Sequence, residues 1–141
     1  MSSMNRAKNL PTWKKPSGAW SQKSDVEPVF LALKKILQPC EKDLRVASDK
    51  PAYYALESRL PSFRNKPVYF AGVRRGKNYV SFYLMPVYMN VPLLKSLSPE
   101  LRNRMQGKAC FNFKSAGPAL FRELSQVTSV GFTCFRKMKF L

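Results

Sequence analysis

The chain has 141 residues, a length that suits one domain, and its 25 lysine and arginine residues against 8 aspartate and glutamate residues give a formal charge of +17. It contains no histidine, which excludes the usual general base, the usual zinc ligand and a Ser–His or Cys–His nucleophile pair. No apolar run approaches the roughly 20 residues of a membrane-spanning helix, and three cysteines without metal-binding spacing (Cys40, Cys110, Cys134) indicate free thiols in a reducing, cytoplasmic compartment.

The N-terminal segment differs in composition from the rest of the chain. Residues 1–24 contain five lysine or arginine residues and no acidic residue, and they lack the apolar stretch of a secretory signal. We predict a flexible basic tail here, with an organelle transit peptide as the alternative. The folded domain is then predicted over residues 25–141.

The first predicted helix begins at Ser24. Ser24 and Glu27 have the spacing of a capping box. In this motif each of the two side chains accepts a hydrogen bond from the backbone N–H of the other residue. Apolar residues then recur at helical spacing from Val26 to Leu37, and Pro39 is expected to end the helix.

The middle of the chain has the pattern of an antiparallel sheet. Short strands are predicted around Leu44–Val46 and at Ala52–Leu56. Two longer runs rich in Val, Tyr and Phe, Pro67–Val73 and Tyr79–Leu84, flank a loop at 74–78 with glycine in the turn, which predicts a hairpin.

The C-terminal part alternates short helices with one strand. One or two helical turns are predicted at Met89–Leu97, and a helix begins after Ser98, with proline at its first position. Ala109–Phe113 is predicted as a strand that places Cys110 and Asn112 on the opposite side from its apolar residues. A last helix begins at Gly117-Pro118, and Gly131 either ends it or lies inside a longer helix.

This order of elements predicts an α+β fold of two layers, an antiparallel sheet with helices on one face. From about Val26 to Met138 the pattern resembles the YdhG-like family of small domains of unknown function. The residues that carry the resemblance are the runs Pro67–Val73, Tyr79–Pro86 and Leu101–Lys114, the last containing a Gly-Lys turn followed by an aromatic strand. The resemblance implies an outline similar to frataxin.

One bacterial branch of the YdhG-like family has been proposed as an iron chaperone, so the resemblance raises an iron-handling role. Hard iron ions prefer carboxylate oxygen as a ligand, and the first predicted helix offers only Asp25 and Glu27. A strongly positive protein also repels cations. Iron handling is therefore the weakest of the binding functions that the sequence raises, and we predict no metal ligand and no cofactor.

Basic and aromatic residues gather around the predicted strand connections. Basic side chains can contact phosphate while aromatic rings stack on bases, so these residues form the candidate ligand-binding set. The alternative is that the rings belong to the core and the charges to a solvated rim. The candidates are Arg64, Lys66, Tyr69, Arg74, Arg75, Lys77, Tyr79, Tyr83 and Lys108.

Three other patterns in the sequence suggest a site outside this set. The run Arg75–Phe82 partly matches an RNA-recognition strand motif, but Lys77 stands where a stacking ring belongs, so it is interpreted as an ordinary hairpin. Cys110, on the same predicted face as Lys108, is expected to be a buried and inert thiol. A pocket between sheet and helices could be formed by Tyr53, Tyr54, Tyr88 and Asn112, and Glu57 is the carboxylate of most interest there.

The sequence as a whole predicts a small binding domain without catalytic residues. The ligand is expected to be an anion or an acidic protein partner, and nucleic acid is the principal alternative. The pattern leaves the ligand's identity and the oligomeric state open.

Overall fold

A computed structural model describes residues 23–59 and 65–140. The sheet has five strands, which are β1 (Arg45–Lys50), β2 (Tyr53–Glu57), β3 (Tyr69–Arg75), β4 (Val80–Leu84) and β5 (Cys110–Phe113). The helices are α1 (Lys23–Leu37), α2 (Met85–Met89), α3 (Val91–Lys95), α4 (Pro99–Arg102) and α5 (Pro118–Lys137), and a 3-10 helix spans Gln38–Asp43.

The strands lie in sequence order, β1-β2-β3-β4-β5, and every neighbouring pair is antiparallel. Helices α1 and α2 contact the central strands, and both also pack against α5. The α+β class, with an antiparallel sheet and helices on one face, is therefore confirmed.

Helix α1 forms where the apolar spacing predicts it. Val26, Val29, Phe30 and Leu33 are all buried against the sheet, and a stripe at this spacing lies along one side of a helix. The helix begins at Lys23, one residue before the predicted cap at Ser24. The chain then tightens into the 3-10 helix that contains Pro39.

The core lies between this helical layer and one face of the sheet. Phe70 is fully buried, and its ring meets the rings of Phe132 and Phe135 of α5 edge-on, at centroid distances of 6.0 and 5.0 Å. Edge-to-face pairs of this kind add to the energy of apolar burial. Phe82 and Phe111 of the neighbouring strands complete the buried face.

Several boundaries differ from the sequence prediction. Strand β3 begins at Tyr69 and ends at Arg75, because a register irregularity opposite Leu56/Glu57 shifts its pairing. Pro86 lies inside the short helix α2. Helix α5 continues through Gly131, which is one of the two alternatives that the sequence leaves open, and a Cβ atom there would lie 2.9 Å from Cβ of Pro86.

Both predicted helix starts in the C-terminal part are confirmed. The Ser98 hydroxyl accepts a hydrogen bond from the Leu101 backbone N–H at 3.1 Å, and Pro99 is the first residue of α4. Gly117 precedes Pro118 at the start of α5. The predicted tail, residues 1–24, lies almost wholly outside the described residues.

Candidate binding face

The second face of the sheet carries polar and aromatic side chains, and we call it the open face. Strand alternation and pairing place Tyr53, Arg74, Ser81 and Asn112 in one row across β2 to β5. The described helices pack against the opposite face of the sheet. Within this row Arg74 is exposed, Tyr53 and Asn112 are half-buried, and Ser81 is buried.

Three tyrosines surround Arg74 on this face, and we call Tyr53, Tyr69, Tyr83 and Arg74 the tyrosine–arginine cluster. The guanidinium carbon of Arg74 lies 4.6 Å from the centroid of the Tyr53 ring, a cation–π contact. Tyr53 and Tyr69 lie close enough for the side chain of Tyr53 to contribute to the raised pKa of Tyr69. Each ring is partly exposed, and Arg74 is exposed.

Gly72 makes room for this cluster. A side chain at Gly72 would occupy the position of the Tyr69 hydroxyl, and its Cβ atom would also lie 3.0 Å from the Tyr54 carbonyl oxygen. The Tyr69 ring therefore lies over the strand instead of projecting away from it. This is the one glycine of β3, and the close approach explains its place.

The phenols of Tyr69 and Tyr83 are neutral at physiological pH, because the pKa of each is raised. Burial raises the pKa of Tyr69 above its usual range and the neighbouring Tyr53 adds to the shift, while the positive charge of Arg74 acts against it. Burial and then the neighbouring Cys110 raise the pKa of Tyr83, and Arg74 again opposes the shift. The rings can thus stack and donate hydrogen bonds without bringing negative charge.

Polar groups continue from the cluster toward β5. The Ser81 hydroxyl donates to Oδ1 of Asn112 at 2.7 Å, and the Cys110 thiol lies 3.6 Å from the same oxygen. The Asn112 amide donates in turn to Gln106 Oε1 at 3.4 Å. Cys110 was expected to be buried, but it is half-buried on the open face because its strand neighbours Phe111 and Phe113 take the core side.

A groove lies at each end of the open face. The first, of about 780 Å3, is lined by Lys66, Tyr69, Tyr88 and apolar residues that include Met85 and Phe140, and we call it the Lys66 groove. The second, of about 420 Å3, has a more polar lining, and we call it the Tyr79 groove. Its lining residues are Tyr79, Asn103, Arg104, Met105, Gln106, Asn112 and Lys114.

Acidic residues are placed away from this surface. The sequence has none between Glu57 and Glu100, a stretch that includes all of β3 and β4, and neither groove has an acidic residue in its lining. Glu57 stands at one corner of the open face and is ion-paired with Arg45. The field over the cluster is consequently positive.

The structure divides the predicted ligand-binding residues. Tyr69, Arg74 and Tyr83 come together in the cluster, while Lys66 and Tyr79 lie in the two grooves. The Lys108 ammonium lies outside β5, 5.6 Å from the Tyr88 ring centroid, at the Lys66 groove. Lys77 is exposed in the turn between β3 and β4.

One of the predicted residues faces the helices, and another cannot be placed because it is not described. Arg75 lies on the helical side of the sheet, where its guanidinium is ion-paired with Glu27 of α1, because neighbouring residues of a strand point to opposite faces. Arg64 lies outside the described residues.

The pocket expected between sheet and helices is wrong in composition. Tyr54 is fully buried, and its hydroxyl donates to Glu41, whereas Tyr53 and Asn112 lie on the open face and Tyr88 is exposed. Tyr53, Ser81 and Asn112 were missed as partners of Arg74. Their alternation with buried neighbours in the strands was the signal that could have placed them there.

Two general properties of the described chain bear on function. Among residues 23–59 and 65–140, no three side chains of the His, Cys, Asp and Glu types gather where they could hold a metal ion. None of the helices in these ranges combines the length and hydropathy that a bilayer crossing requires. Comparison with protein-family models, with curated proteins and with solved structures finds no match in any of the three.

Proposed function

We propose that this protein is a non-enzymatic binding domain whose open face holds an anionic ligand through the tyrosine–arginine cluster. The observation that carries the proposal is the position of Arg74, which is exposed beside three tyrosine side chains. Among the described carboxylates, none lies within ion-pair distance of its guanidinium. An arginine in that setting keeps its donors for a ligand.

The chemistry of the cluster favours a phosphate or carboxylate group that is attached to a ring. Guanidinium groups bind such anions through paired, charge-assisted hydrogen bonds. Tyr53 and Tyr83 offer ring surface and hydroxyl donors beside the cation. Arg75, the adjacent residue in the chain, has no comparable role in this proposal because Glu27 already neutralises it.

An iron-handling role has less support. Hard iron ions prefer carboxylate oxygen as a ligand, whereas the cluster offers one guanidinium group and three phenol groups. The resemblance to the YdhG-like family stays a prediction, and the proposal made here does not depend on it.

Titration with uridine diphosphate, followed by calorimetry and by NMR shifts at low salt, tests the proposal. Arg74→Gln should weaken binding roughly tenfold to a hundredfold, since a hydrogen bond to a charged group is worth about 1.5–3 kcal/mol. Arg122→Gln removes the same charge from an exposed site on α5 and should change the affinity by less than about twofold.

Either of two results would refute the proposal. Equal losses in the two variants would mean that only the net charge attracts the ligand. Absence of heat and of shifts for the unmodified protein at low salt would mean that the cluster binds no such anion.

A further inference from the structure

Each of the two grooves shares one lining residue with the open face. Tyr69 begins β3 and lines the Lys66 groove, while Asn112, in the same row as Arg74, lines the Tyr79 groove. Strand β3 has seven residues, so the surface extends on the order of 20 Å at roughly 3.3 Å per residue. We call the two grooves and the cluster together the track.

Aromatic rings are present at each part of the track. Tyr88 in the Lys66 groove and Tyr79 in the other groove are 56% and 42% exposed, among the most exposed large hydrophobic side chains of the described residues. The cluster supplies the rings between them. An exposed tyrosine ring offers a flat surface on which a planar group can stack, and nucleic-acid bases stack on aromatic rings in this way.

Cations alternate with these rings. Lys66 and Lys108 lie at one end, Arg74 in the middle, and Arg104 and Lys114 at the other end. Cations beside rings suit a polymer that carries a phosphate and a base at each step. A mononucleotide would occupy only one part of the track.

We propose that the ligand of the open face is single-stranded nucleic acid, laid along the track with phosphates at the cations and bases on the tyrosines. This inference rests on the proposed function and specifies its ligand class. A duplex keeps its bases stacked inside and offers phosphates to the surface, so it could use the cations but not the rings.

The test compares a labelled oligothymidylate of about 12 nucleotides with a duplex of the same length by fluorescence anisotropy, at about 50 and about 200 mM salt. The duplex carries more phosphates, so charge alone predicts tighter duplex binding. We expect tighter binding of the single strand at both salt concentrations. Tighter duplex binding, or equal affinities, would overturn the inference.

Ring variants separate stacking from charge. The double variant Tyr79→Leu/Tyr88→Leu keeps every charge and should weaken oligothymidylate binding about tenfold or more with an unchanged salt dependence, while duplex binding stays as it was. Tyr79→Phe/Tyr88→Phe keeps the rings and should restore the affinity. Both positions are exposed, and circular dichroism checks that each variant is folded; unchanged affinity in a folded leucine variant would contradict the proposal.

Charge variants test the two ends. Lys66→Gln and Lys114→Gln should each lower the slope of log affinity against log salt by about one, and Lys35→Gln, at an exposed position of α1, should leave it unchanged. Equal slopes for all three would remove the track. If uridine diphosphate binds through Arg74 but the single strand is not preferred, this inference fails and the proposed function stands; if the diphosphate does not bind, the proposed function itself fails.

Discussion

Replacing Gly131 with alanine sets two opposing effects against each other in α5. Alanine is the better helix former by about 1 kcal/mol. Its Cβ atom, however, would lie 2.9 Å from Cβ and 3.1 Å from Cγ of Pro86 in α2. A proline ring cannot rotate away as a flexible side chain can, so the two helices would have to separate.

Overpacking of this kind costs about 1–3 kcal/mol. After the gain of about 1 kcal/mol in helix propensity is subtracted, we expect Gly131→Ala to lower the free energy of unfolding by up to about 2 kcal/mol. Equilibrium urea unfolding followed by far-UV circular dichroism measures it, and the midpoint should fall while the slope stays constant.

A pair of variants at an exposed position of the same helix provides the control. The difference between Gln126→Ala and Gln126→Gly gives the propensity contribution in α5 without a packing change. If Gly131→Ala is more stable than the unmodified protein, then the contact between α5 and α2 is not as close as described and the reasoning is wrong.

Three further outcomes are expected. Tyr54→Phe removes the buried phenol that donates to Glu41 and should cost about 1–2 kcal/mol in urea unfolding; no change would mean that water replaces the bond. Ser98→Ala removes the cap of α4 and a 2.6 Å bond to Glu123, and its thermal unfolding should show a loss of about 1–2 kcal/mol, which an unshifted midpoint would contradict. Burial, with a smaller effect of a nearby carboxylate, raises the pKa of Cys40 to about 11; the thiol is therefore protonated at about pH 8, and mass spectrometry should show slower iodoacetamide labelling than in urea, with a rate that rises toward the pKa. Equal rates in the folded and unfolded chain would exclude the shift.

Elements with local determinants could be predicted from the sequence. Helix α1 follows from the spacing Val26, Val29/Phe30, Leu33, and the start of α4 follows from Ser98 and Pro99. Such elements need only contacts within a few residues of the chain. The sequence alone does not decide whether α5 ends at Gly131 or continues through it. The contact that favours glycine there comes from Pro86, which is far away in the sequence.

The candidate site depended more on tertiary structure. Tyr53 and Tyr54 are identical neighbours, and alternation requires one of them on each face without saying which. In the structure Tyr54 is the one that faces the core, where it is buried and its hydroxyl donates a hydrogen bond to Glu41. Likewise Arg74 and Arg75 were equivalent candidates, and the ion pair that separates them joins Arg75 to Glu27, 48 positions away.

The outer strands of the sheet explain why an exposed face need not lead to self-association. Beside β5, the backbone of residues 104–106 supplies hydrogen bonds to Cys110 and Asn112, so that side is already paired. On the other side, β1 is a short strand with charged residues and an irregular register between Val46 and Ser48, features that hinder the addition of another strand. Neither outer strand is therefore readily available for backbone pairing with a strand of a second molecule. The open face can remain exposed without this pairing extending the sheet into a fibril.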